Sequence, residues 1–124
     1  MTRPKIVIAY SALRIAYALG LLAAPAKVAR PWLGDDAGRP AAEVALRGLG
    51  MRDLALATGA LTAAATGAPT RWWLAACAAG DAADLTATLG ADGERLPRRA
   101  KPGTVAAAGV FGAAAAALAV WEAR

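Results

Sequence analysis

Four apolar stretches of membrane-spanning length constrain this chain more than any other feature. Ile6 to Ala24 is the first and carries one charge, Arg14. The second runs from about Leu49 to Ala68, with Arg52 and Asp53 near its start. The third, Trp72 to Ala91, contains Asp81 and Asp84, and the fourth, Gly103 to Trp121, has no charge at all. A helix crosses the hydrocarbon core with about 20 apolar residues. The intervening segments, Pro25 to Arg47, Gly67 to Arg71 and Asp92 to Pro102, are rich in charge, Pro and Gly. The pattern predicts an all-α fold, a four-transmembrane-helix antiparallel bundle over residues 6–24, 49–68, 72–91 and 103–121, as a single integral membrane domain.

Composition narrows the chemistry. The chain has 124 residues, of which 58% are hydrophobic but only 6% aromatic, with a net charge of +5. One domain fits that length. About three residues in ten are alanine, far above ordinary usage, so most apolar groups bury little area each. A soluble alanine-rich bundle would need a polar stripe along every helix, and the fourth stretch has none to turn outward. A cleaved signal peptide at the N-terminus would need an uninterrupted apolar run, which Arg14 splits. There is no His and one Cys, Cys77. That removes His-ligated metals, Ser-His-Asp catalysis, CxxC redox chemistry and an internal disulfide. No cofactor and no enzymatic activity are expected. The basic balance does not point to nucleic acid either, because half the chain would lie in lipid.

Tryptophan and charge place the chain in the bilayer. With alternating helices, Trp72, Trp73 and Trp121 fall on one side and Trp32 on the other, two belts at the membrane–water boundary. Lys27, Arg30, Arg39, Arg95, Arg98, Arg99 and Lys101 occupy the two long loops. The positive-inside rule then predicts cytoplasmic long loops and external termini, in the inner (plasma) membrane. The Arg95–Lys101 run can also touch anionic head groups.

The intramembrane charges are the costly residues. An Arg or Asp at a helix centre costs about 2.5–3.5 kcal/mol on insertion scales, so each needs a partner. Arg14 and Asp81 fall at nearly equal depth on two parallel spans, which predicts an ion pair near the midplane. Asp84 follows Asp81 at i+3 on the same face, and Arg52 on the antiparallel second span lies within reach of it. The expected site is a buried network of Arg14, Arg52, Asp81 and Asp84 whose signs balance, with Asp53 peripheral and the hydroxyls of Tyr10 and Tyr17 able to join. Two readings stay open: the network locks the helices in register, or its carboxylates carry a proton or ion or hold a polar ligand head group. Small residues at four-residue spacing, such as Gly109-Ala113 and Gly112-Ala116, predict close helix packing, with a face of the fourth stretch offered to a partner or a second copy.

The segment Arg47-Gly48-Leu49-Gly50-Met51-Arg52-Asp53-Leu54-Ala55-Leu56, followed one helix later by Asp81-Ala82-Ala83-Asp84-Leu85, resembles small four-helix bacterial membrane proteins, DoxX-like in the broad sense. The resemblance implies a four-helix membrane fold serving as an accessory component of a larger membrane or redox system, and it carries over no catalytic residue. The expected function is therefore an accessory or structural subunit of a membrane complex. The alternative is a small proton- or ion-linked transporter using Asp81 and Asp84.

Overall fold

Alanine and leucine are strong helix formers, and Pro4, Pro25 and Pro40 stand where proline starts a helix rather than breaks it. In a computed structural model describing residues 2–124, α1 (Arg3–Ala23), α2 (Pro25–Leu33) and α3 (Pro40–Thr66) all begin with proline in the first turn. They are followed by α4 (Arg71–Gly90), the short α5 (Ala100–Thr104) and α6 (Val110–Glu122). A π-helical turn over Val105–Gly109 joins α5 to α6, so residues Ala100–Glu122 form one continuous rod. No strand occurs among the described residues, in keeping with the expected all-α class.

The ends have specific causes. Gly67, at φ 74°, takes the left-handed conformation that closes α3, and Ala68 N–H bonds back to Ala63 O at 2.9 Å, a Schellman-type stop. Three cations cover the terminal carbonyls of other helices. Arg47 donates to Leu22 O in the last turn of α1, Lys101 to Leu89 O in the last turn of α4, and Arg3 to Trp121 O in the last turn of α6. Each satisfies a carbonyl that the helix itself cannot, at the negative end of the helix dipole.

Helix directions follow from which residues meet. Early α1 packs on late α3 through Val7, Ala60 and Ala64, and late α1 meets early α3 where Leu21 faces Gly50. Thr70 bonds Glu122 at 2.9 Å while Asp81 faces Gly112, so α4 and α6 are antiparallel too. Arg14 meets Asp81 and Val7 meets Leu74, so α1 and α4 run the same way. One end of the molecule gathers Trp121 under Arg3 and Trp72 under Arg71. Trp32 stacks on Tyr17, whose helix turn lies toward the opposite end.

Buried residues recur at alternating three- and four-residue steps. On α1 they are Val7, Ser11, Arg14, Ala18 and Leu21; on α3, Leu46, Gly50, Asp53, Ala57, Ala60 and Ala64, with Ala63 buried beside the row; on α4, Leu74, Cys77 and Asp81. This spacing is the seam of near-parallel helices. Arg14, Asp53 and Asp81 sit on it in place of apolar residues.

One sequence expectation needs correction here. The segment Pro25–Arg47 is not an irregular loop. Residues 25–33 form a helix whose Val28, Ala29, Trp32 and Leu33 pack with Leu21 and Leu46, and α3 starts at Pro40, well before Leu49. Charge density hid an apolar face at helical spacing. Of the four expected spans, two, Arg3–Ala23 and Ala100–Glu122, are long and apolar enough to cross a membrane on those grounds alone. The remaining long helices, α3 and α4, are interrupted by Arg52, Asp53, Asp81 and Asp84, which lower their apolar content.

Candidate functional site

The charged residues come together halfway along the long helices. Arg14 is near the midpoint of α1, Asp53 of α3 and Asp81 of α4. Arg14 grips Asp81 with both terminal nitrogens, Nη1 to Oδ2 at 2.5 Å and Nη2 to Oδ1 at 3.1 Å. The same Nη2 lies 3.2 Å from Asp53 Oδ1, and Nη1 also donates to the Tyr10 hydroxyl at 3.0 Å. Tyr10 in turn donates to Phe111 O at 3.1 Å, tying α1 to α6 through the same group. Arg52 makes a second two-pronged grip, on Asp84, at 3.0 and 2.7 Å. Its Nε and Nη2 both reach Asp53 Oδ1, at 3.3 and 3.0 Å. A planar guanidinium suits such paired contacts, and Lys could not reproduce them.

Asp53 is therefore not peripheral. It is 5% exposed and bridges the two arginines, joining the pairs into one chain: Asp81, Arg14, Asp53, Arg52, Asp84. The seam on α3 carried the signal. Stepping back from Ala64 through Ala60 and Ala57 lands on Asp53, whereas Arg52 lies beside the seam and reaches inward on its longer stem. The charge balance changes with it. Three carboxylates face two guanidiniums, leaving one negative charge in surplus. Tyr17, expected as a possible member, lines the space beside the network without a hydrogen bond to it among the described residues.

Glycines make the room. A Cβ on Gly112 would lie 2.9 Å from Asp81 Cβ, and one on Gly80 would lie 3.2 Å from the Arg52 guanidinium carbon. Gly112 thus faces the network and not a partner. Of the expected docking face, Gly109 at the end of the π turn and Ala113 and Ala116 on α6 remain turned outward.

Above the network lies a cavity of about 420 Å³. Arg14, Asp53, Asp81 and Asp84 form its floor, and its walls are apolar, including Trp32, Leu49 and Phe111. The π turn borders it through Ala107 and Ala108. Such turns widen a helix locally and recur at functional sites. On the far side of the network the helices pack solidly through Val7, Ala60, Ala64 and Leu74. The wall residues Leu96 and Phe111 were not singled out in the sequence, and Trp32 was read there only as a residue of the membrane–water boundary. They come from segments distant along the chain, and only the fold brings them to one mouth.

Two members of the region keep unpaired buried atoms, Arg14 Nε and Ser11 Oγ. No hydrogen bond among the described residues reaches Asp53 Oδ2, although Asp53 lines the cavity. An apolar chamber with a few convergent polar groups is the usual form of a small-molecule site. No family model, curated protein or solved structure matches this chain.

Proposed function

We propose that this protein is a multi-pass protein of the inner membrane, with α1, α3, α4 and the α5–α6 rod each crossing the bilayer, that holds a small amphiphile for a larger membrane assembly. The cavity floored by the ion-pair network carries this reading: a charged floor and apolar walls match a molecule with a polar head and an apolar body. Crossing by α3 and α4 is supported by the pairing itself. Their charges turn inward onto one another, which is what hydrocarbon demands of intramembrane ions. Leu13, Leu19, Met51, Val105 and Val110 are exposed on the outside, where lipid would cover them.

A binding role fits better than transport by Asp81 and Asp84. Both oxygens of each are held by a guanidinium, and the packed layer beyond the floor closes the chamber at one end. The accessory role rests on the outward face of the α5–α6 rod, where Gly109 and Ala113 allow close approach by another helix. It also agrees with the DoxX-like resemblance.

The test is native mass spectrometry of the protein purified in lipid nanodiscs. The wild type is expected to release one small amphiphile per chain, and Ala108→Trp, which fills the chamber, to release none while keeping its helical circular dichroism. Equal release from both would overturn the reading.

A further inference from the structure

The floor of the chamber is not neutral, and that surplus identifies the ligand's charge. Asp53, Asp81 and Asp84 oppose Arg14 and Arg52, and among the described residues Arg14 and the three aspartates are the only charged side chains lining the cavity. Both oxygens of Asp81 and of Asp84 are taken by guanidinium groups, and Asp53 Oδ1 is shared by two. Asp53 Oδ2 is what remains: an acceptor on a side chain more than nine-tenths buried, bordering the chamber and receiving no hydrogen bond among the described residues. A buried carboxylate with spare acceptor capacity and uncompensated charge is costly unless a cation completes it.

The walls narrow the kind of cation. Trp32, Tyr17 and Phe111 present aromatic rings to the same space, and ring faces attract ammonium groups, most strongly away from water. Among the described residues, no three acidic or thiol groups converge as a metal ion would require. Most of the wall is apolar, so the rest of the ligand is hydrocarbon. From these features we infer that the chamber selects a hydrophobic monocation, an alkyl or aryl ammonium whose head rests by Asp53 Oδ2 and whose body lies along α4 and the π turn. This deepens the amphiphile-binding reading and rests on it.

The experiment compares three ligands with the same ten-carbon chain: decyltrimethylammonium, neutral decyldimethylamine N-oxide and decyl sulfate. Each is titrated by calorimetry into protein-loaded nanodiscs, with empty nanodiscs as reference. The ammonium is expected to bind at least tenfold more tightly than either competitor. Asp53→Asn is expected to abolish that preference. Binding of all three within threefold would overturn the charge assignment and leave the amphiphile site standing. Preferential binding of the sulfate would overturn the assignment outright. Specific binding by none of them would remove the site and the assignment together. Should Asp53→Asn fail to fold, the ligand series on the wild-type protein decides by itself.

Discussion

At the scale of single residues, burial decides what an ion pair is worth. Asp53 and Asp36 both lie close to arginines, yet the pair between Arg39 and Asp36 stands in solvent, with side chains 76% and 42% exposed. Solvent screening and side-chain entropy hold such pairs below about 1 kcal/mol. Removing one member of a buried pair strands the other and costs about 3–5 kcal/mol. Arg14→Ala, which leaves the buried Asp81 with no cation, is accordingly expected to lower stability by that larger amount, and Asp36→Ala by less than about 1 kcal/mol. Reversible unfolding in mixed micelles reads both values. Comparable losses would show that the Arg14–Asp81 pair is solvated. Cys77 offers a useful contrast, since its buried thiol sits on the α4 seam without hydrogen-bond partners among the described residues.

At the scale of elements, close approach between helices depends on which glycines face a neighbour. A Cβ on Gly50 would come within 2.9 Å of Leu21 Cβ and 3.0 Å of Ala18 O, so the α1–α3 contact would have to open. Gly48, on the same helix, has nothing within 4 Å of that position. Gly50→Ala is expected to destabilise by about 1–3 kcal/mol through overpacking. Gly48→Ala is expected to stabilise by up to about 1 kcal/mol, because alanine loses less backbone freedom in a helix. Thermal melts of the two variants should move in opposite directions, and a shift of the same sign in both would contradict the packing. Elements were also where the sequence was most readable. The long helices follow from apolar length, and the opposite signs of Arg14 and Asp81 at matching depth point to their meeting. Asp53 was harder to place, because its neighbour Arg52 gave it an apparent local partner and masked its position on the seam. The α2 helix was obscured in a similar way: Lys27, Arg30 and two prolines dominate its composition, while Val28, Ala29 and Trp32 supply its packed face. The chamber could not be read at all, since its walls are set by the relative placement of α2, α4 and the α5–α6 rod.

At the scale of the whole molecule, tryptophan stands toward both ends of four long helical segments that turn their charges inward onto one another. With four crossings, single cysteines at Gly38 and Asp92 on a Cys77→Ser background should react with a membrane-impermeant maleimide from one side. A cysteine at Ala68 should react from the other. The positive-inside rule assigns the first pair to the cytoplasm. Labelling of Gly38 and Ala68 from the same face would reduce the number of crossings. The central claim, that charges on separate helices stabilise one another inside the membrane, is tested most directly by a double-mutant cycle on Arg14 and Asp81 in lipid bicelles. Arg14→Ala and Asp81→Asn are each expected to destabilise strongly, and the double variant to recover part of the loss, with a coupling above about 1 kcal/mol. Losses that simply add, to within about 0.5 kcal/mol, would contradict it.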